Sequence, residues 1–286
     1  MNCESANLRG REWISSSRPW LLASMVFALI IWITFPVPHI YSAQAQTGAN
    51  PSSKPNIVLV PGAYEDGSIW TKVIRLLQAK GFRVTVVPIP LTSLAADASM
   101  TKSVVARQQG PVILVGHSWG GVVITEAGND SNVIGLVYVA ALAPDAGEGS
   151  GDSLKLCAHK IALPIRTDEA GRKWIDPDGY PAAWAGDLDI AEARVLAATQ
   201  RPIATQSFTD KVTQAAWRAK PTWFQISSND LAQCAEVQRF MAKRMGATTI
   251  ELSASHASPL SHPDEVAKLI MDSAEKAGST KVSVTH

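Results

Sequence analysis

A chain of 286 residues, 46% hydrophobic and 18% charged, can bury one full core and still carry an insertion. Its formal net charge of +1, with Lys and Arg scattered, offers no basic stripe for phosphates and argues against a nucleic-acid partner. No low-complexity run or fixed-period repeat follows the N-terminal segment, which excludes solenoids and propellers.

The N-terminus is built differently. Arg9, Arg11 and Arg18 precede an apolar run from Trp20 to Phe35, Pro36 and Pro38 then break any helix, and Ala43-Gln44-Ala45 offers a small-x-small cleavage site. The expectation is a signal peptide over residues 1–45, cleaved near Ala45 and delivering the protein to the periplasm or the exterior. The alternative is an uncleaved membrane anchor, because the run is near the short limit for spanning a bilayer. Residues 46–54, rich in Ser, Pro, Asn and Gly, read as a disordered lead-in. Folding is expected to start at Pro55, with one domain over 55–286.

Asn56 to Val60 is an apolar strand, and Pro61-Gly62-Ala63-Tyr64-Glu65-Asp66-Gly67 after it is a turn-rich loop. From Ser68, Ile69, Val73, Leu76 and Leu77 fall on one helical face, with Gly81 as the stop. Phe82 to Val87 reads as a second strand, ended by Pro88 and Pro90. A second helix, capped by Thr92 or Ser93, runs to Gln109, and Gly110-Pro111 closes it.

Pro111 to Gly121, PVILVGHSWGG, organises the rest of the chain. An apolar run abuts Gly-His-Ser-Trp-Gly, and Val122, Val123 and Ile124 continue as a helix. Strand, tight turn and helix hold Ser118 above the end of a buried strand, and the glycines admit a reversal too sharp for side chains. The first free N–H groups of the new helix point at the same spot, which suits a developing negative charge.

Val133 to Ala141 supplies the next strand. Nearly all-apolar strands alternating with helices imply a doubly wound, mostly parallel sheet of about six strands, with helices on both faces and the site at the C-terminal strand ends. Over 145–220 the rhythm fails: Trp174, Trp184 and Trp217, several prolines and one helix candidate from Asp187 to Thr199 suggest a helical lid inserted over the sheet. Its tryptophans either line a pocket for a hydrophobic substrate or fill the lid's own core. Thr222 to Ser227 is again a strand, followed by Asn229-Asp230. Ala235 to Met245 is a helix with Val237, Phe240 and Met241 inward, Thr248 to Leu252 is the last strand, and a closing helix runs from Pro263 to Lys276. Cleavage of the leader removes Cys3 and leaves Cys157 and Cys234. Two thiols in an oxidising compartment favour a disulfide, and the alternative is two separately buried thiols, since spacing does not report whether their Cα atoms approach within ~7 Å. So few ligands do not make a zinc site.

A serine hydroxyl needs a base, and the base needs an orienting carboxylate. Ser118, Asp230 and His256 occur in the chain order of an α/β-hydrolase triad, each just beyond a strand. His262 is the rival base, placed before Pro263 where a capping role is expected; Asp210 and Glu126 are rival acids that follow no sheet strand. The oxyanion hole is assigned to the backbone N–H groups of Ala63 and Trp119, with the Tyr64 and Trp119 side chains lining the acyl side. The chemistry calls for no metal and no cofactor.

VLVPGAYEDGSIW, LVGHSWGG, LVYVAALAPDAGE, RFMAKRMGA and SHASPLSHP together resemble the small bacterial α/β-hydrolases, a group that also resembles plant methyl-ester esterases and hydroxynitrile lyases. The resemblance covers the chain after Lys54. It implies a serine hydrolase acting on a small-molecule ester. Where that group usually begins its first loop His-Gly, this chain has Pro61-Gly62, which keeps the backbone donors but removes an imidazole. Relatives with lyase activity carry a lysine directly after the catalytic histidine, where this chain has Ala257, and Ser118 argues against relatives with an aspartate nucleophile. A lyase on the same scaffold and a non-catalytic binding protein remain the alternatives. No stable membrane partner is expected unless the leader is retained, and the sequence is silent on oligomeric state.

Overall fold

A computed structural model describes residues 54–157 and 163–280. The proposed leader, nearly all of the lead-in, and His39, His159 and His286 lie outside the described residues.

Strand β1 (Asn56–Val60) is followed by a 3-10 turn, helix α1 (Thr71–Ala79) and β2 (Val84–Val86). Helix α2 (Leu94–Ala106) starts at Ser93, whose hydroxyl accepts from the Ala96 N–H, and it stops one turn earlier than the sequence suggests. Next come β3 (Val112–His117), α3 (Trp119–Ala127) and β4 (Val133–Val139). Every residue of β1, β3 and β4 is buried. Because side chains alternate across a strand, both faces of the sheet must be covered. Helix α1 packs on the C-terminal helix and α2 packs on α3.

The insertion holds α4 (Ser150–Leu154), β5 (Ile165–Thr167), β6 (Arg172–Ile175), α5 (Tyr180–Trp184), α6 (Ile190–Thr199) and β7 (Ile203–Ala204). It is not simply helical. Strands β5, β6 and β7 form an antiparallel sheet of their own. They are two to four residues long and half exposed, so they lack the apolar run by which a buried strand announces itself.

The chain then returns to the main sheet with β8 (Thr222–Ser227), α7 (Ala235–Met245), β9 (Thr248–Leu252), the short α8 (Ser258–Ser261) and α9 (Pro263–Thr280). In α7 the inward stripe is Val237, Gln238 and Met241, while Phe240, expected inside, is 45% exposed beneath the Arg244 guanidinium. Position 238 takes the inward place because its amide is needed at Asp230, as described below. Gly246 ends α7 in the left-handed region at φ +61°.

The six main strands run parallel in the order β2-β1-β3-β4-β8-β9. The order reverses between β1 and β3, and in such sheets the crevice at that reversal, beyond the C-terminal strand ends, is where ligands bind. Ala63 follows β1 and Ser118 follows β3. The lid is tied to this edge covalently: Cys157, just after α4, is bridged to Cys234 at the start of α7, with Cα atoms 5.8 Å apart.

Candidate active site

Ser118 caps the N-terminus of α3 at φ +53° and ψ −121°, a backbone conformation that L residues adopt only when the surroundings impose it. Three backbone hydrogen bonds impose it here: Ser118 N–H to the Val139 carbonyl, and its own carbonyl to the N–H groups of Gly121 and Leu142. The turn also demands Gly116 and Gly120. A Cβ at Gly116 would stand 2.4 Å from the Gly120 carbonyl, and one at Gly120 would stand 2.4 Å from that of Val60. The strand and helix can therefore approach only as glycine backbone.

His256 lies in the loop after β9, where the sequence expects the base. Its Nδ1 is 2.7 Å from Asp230 Oδ2, and both side chains are fully buried. Asp230 Oδ1 accepts from the N–H groups of Ala232 and Gln233, and Oδ2 also accepts from Gln238 Nε2. With donors already on both oxygens, the carboxylate accepts the His256 Nδ1–H as well, leaving Nε2 as the lone-pair nitrogen. That nitrogen is buried and has no hydrogen-bond partner among the described residues. Ser118 Oγ instead accepts from Gln233 Nε2 at 3.2 Å. Gln233 links the two, since its backbone is held by Asp230.

The rivals are engaged elsewhere. His262 Nδ1 faces Ser261 Oγ at 2.9 Å and Asp187 at 3.8 Å, partly exposed. Asp210 accepts from the Leu94 N–H, and Glu126 holds Thr213.

Ala63, Tyr64, Ser118, Trp119, Trp184 and Gln233 share the wall of a cavity of about 290 Å³, otherwise mostly aliphatic and aromatic. Trp119 is the first residue of α3, so its N–H has no acceptor within the helix. Its indole donates to buried Asp97, which also accepts from the Leu91 N–H. Burial pushes the Asp97 carboxyl up despite those donors. Burial likewise raises the Tyr64 hydroxyl, which stays protonated on the pocket wall. The lid tryptophans divide between the two expected roles: Trp184 sits edge-on to the His256 ring at 4.1 Å, whereas Trp217 is anchored to the Pro144 carbonyl. Trp174 lines a larger cavity of about 1070 Å³ inside the lid, which contains neither Ser118 nor His256.

Sequence reasoning missed a second buried pair. His117, inside the elbow, is engaged at both ring nitrogens. Its Nε2 is 2.8 Å from the His256 carbonyl, which can only accept, so Nε2 carries hydrogen. Its Nδ1 is 2.8 Å from Glu65 Oε2. Glu65 also accepts from the Gly62 N–H and from the Trp184 indole, so donors surround both carboxylate oxygens. A carboxylate among donors and an imidazole between two acceptors make an ion pair. Burial alone would raise the Glu65 carboxyl and lower the His117 imidazole; the partner's charge and hydrogen bond outweigh it, holding Glu65 below its ordinary value and His117 above. No motif announces Glu65. The only signal was a carboxylate in the loop after the first strand together with a histidine inside the elbow.

The strained serine lies between β3 and α3, opposite the β1 loop at the sheet's reversal point, and residues 57–269 match the family model described as alpha/beta hydrolase family. The chain belongs to that family. An alpha/beta hydrolase of Aspergillus novofumigatus is 26% identical over 248 residues, covering 78% of this chain and 98% of the relative. Methylesterase 3 of Arabidopsis thaliana is 23% identical, covering 78% and 97%. The crystal structure of a pyrethroid hydrolase from Sphingobium faniae superposes with a TM-score of 0.65 at 24% identity, covering 78% of this chain and 98% of that one. At that identity the superposition speaks for the fold.

Proposed function

We propose that this α/β-hydrolase is a serine esterase that cleaves a carboxylic ester of a small, hydrophobic substrate through an acyl-enzyme. The observation that carries the reading is Ser118, held in a strained elbow on an apolar cavity, together with an Asp230-paired histidine whose other ring nitrogen is buried with no hydrogen-bond partner among the described residues. Ser118 Oγ attacks the ester carbonyl carbon as its proton passes to His256 Nε2, and Asp230 steadies the imidazolium through Nδ1–H. The N–H groups of Ala63 and Trp119 receive the oxyanion. Collapse expels the alcohol, which takes the proton from Nε2. Water then attacks the acyl carbon, gives a proton to Nε2, and releases the acid as Ser118 regains its hydrogen. Every step uses only the chain's own groups and water.

The names of the relatives, a methylesterase and a pyrethroid hydrolase, agree with ester chemistry. The Tyr64 and Trp119 side chains flank the acyl group. The same reading puts the mature protein in the periplasm or outside the cell, supported by the arginine-flanked apolar leader and by the Cys157–Cys234 bridge, which persists in oxidising compartments.

A fluorophosphonate probe tests the nucleophile. Ser118 is expected to be the labelled residue, and Ser118→Ala to lose both labelling and hydrolysis across a panel of esters while melting as a folded protein. Labelling that persists at another serine, or turnover without a trappable acyl-serine, would replace this reading with a different nucleophile or a lyase.

A further inference from the structure

Gln233 stands in a place that the triad chemistry leaves unexplained. Its N–H donates to Asp230 Oδ1 at 2.9 Å, its carbonyl accepts from Gln238 Nε2 at 2.7 Å, and the next residue is bridged to Cys157. The backbone is thus held on three sides, and the side chain, 5% exposed, is delivered to the pocket wall with Nε2 on Ser118 Oγ. Its other amide atom, Oε1, is buried with no partner among the described residues. A buried acceptor without a donor is uncommon in folded proteins and calls for a reason.

The amide is planar and its two polar atoms are about 2.3 Å apart, so Oε1 lies within about 5.5 Å of the nucleophilic oxygen. In a bound ester, that is the reach of a substituent on the carbon next to the scissile carbonyl. Exchanging the two amide atoms changes only which of them is left unpaired. An alcohol satisfies either arrangement, because a hydroxyl both donates and accepts, whereas a ketone or an ether only accepts. Among the other polar side chains on this wall, Ser150 Oγ donates to the Phe208 carbonyl and the Lys173 ammonium reaches Thr167 Oγ1 at 3.5 Å, while the Tyr64 hydroxyl is a second polar group facing the same cavity. Leu142, Ile165 and Phe208 leave the remainder apolar.

We propose that Gln233 is a specificity-determining residue that reads a hydroxyl on the carbon adjacent to the scissile carbonyl, making the preferred substrates 2-hydroxy esters with an apolar tail. This rests on the esterase reading and narrows it. An ester lacking the hydroxyl leaves the buried amide atom unpaired, and sites built to bind a hydroxyl reject analogues without it.

The test compares methyl 2-hydroxy-4-phenylbutanoate with methyl 4-phenylbutanoate, each rate divided by its own hydroxide-catalysed rate. The wild type is expected to favour the hydroxy ester by at least ~10-fold in kcat/KM, and Gln233→Met, of similar length without the amide, by less than ~2-fold. Equal use of both esters by the wild type overturns the inference while leaving the esterase reading intact, and needs no variant to fold. A preference that survives in Gln233→Met overturns the assignment to that residue. If neither ester is hydrolysed and Ser118 takes no probe, the esterase reading falls. Calorimetric Kd values of the two esters for Ser118→Ala then still decide the inference: a tighter hydroxy ester supports it and equal values overturn it.

Discussion

Two imidazole–carboxylate pairs are buried side by side in this molecule, with ring centroids 4.7 Å apart, and they differ in one atom's surroundings. In the pair of His256 and Asp230, one ring nitrogen is held and the other has no hydrogen-bond partner among the described residues. In the pair of His117 and Glu65, both ring nitrogens are engaged, one by the carboxylate and one by the His256 carbonyl. A base must keep a lone pair available, whereas a brace must not. The second pair therefore braces the first: Glu65 grips the Gly62 N–H and the lid's Trp184, and His117 grips the loop that carries His256. Residue type alone does not separate the two pairs; the partners of their ring nitrogens do.

The comparison breaks most readily at the base. His256→Ala is expected to lower kcat by at least ~10³, and Asp230→Asn by less than His256→Ala, because it spoils the tautomer but leaves the nucleophile in place. His262→Ala should leave kcat within about two-fold, since its side chain faces Ser261 and Asp187. Steady-state kinetics on any ester the wild type cleaves reads all three. A dead His262→Ala beside an active His256→Ala would require a different triad.

The brace should fail in the other currency, stability. Glu65→Leu leaves the His117 charge buried and alone, an event that costs about 3–5 kcal/mol. Urea unfolding is expected to show that loss, while Asp230→Asn with its several remaining hydrogen bonds loses less. A Glu65→Leu protein as stable as the wild type would show that the second pair is not ionised.

The smallest effect is the dependence of that loss on pH. A carboxyl held below its ordinary 4.5 contributes stability that disappears as pH falls through its depressed value. An imidazole held above its ordinary 6.5 contributes stability that is complete below 6.5 and disappears as pH rises through its raised value. The gap in melting temperature between wild type and Glu65→Leu is therefore expected to be widest between about pH 4.5 and 6.5 and to narrow on the alkaline side. A gap that grows steadily above pH 7 would reverse the assignment of charges.

Much of the architecture was legible in the chain. Val112 to Val115 had to be a buried strand, because an unbroken apolar run cannot face water on alternate sides, and Gly116 and Gly120 marked a turn that no side chain fits. That Asp230 and His256 would meet could be expected because loops after parallel strands converge on one edge of the sheet, and their side chains are 2.7 Å apart. The lid strands were not legible, being short and half exposed, and neither was the exposure of Phe240, which depends on Gln238 being required at Asp230.

Local patterning thus determined where the strands, helices and elbow lie, since periodicity and turn chemistry act over a few residues and need no knowledge of what packs against them. Tertiary structure decided the partners. Glu65 and His117 are 52 positions apart, Gln233 and Ser118 are 115 apart, and Trp184 reaches Glu65 across 119. Whether a buried polar atom in such a pair is satisfied or left open is a property of the closed cavity, and the chain carries no local trace of it until the sheet, the lid and the loops have come together.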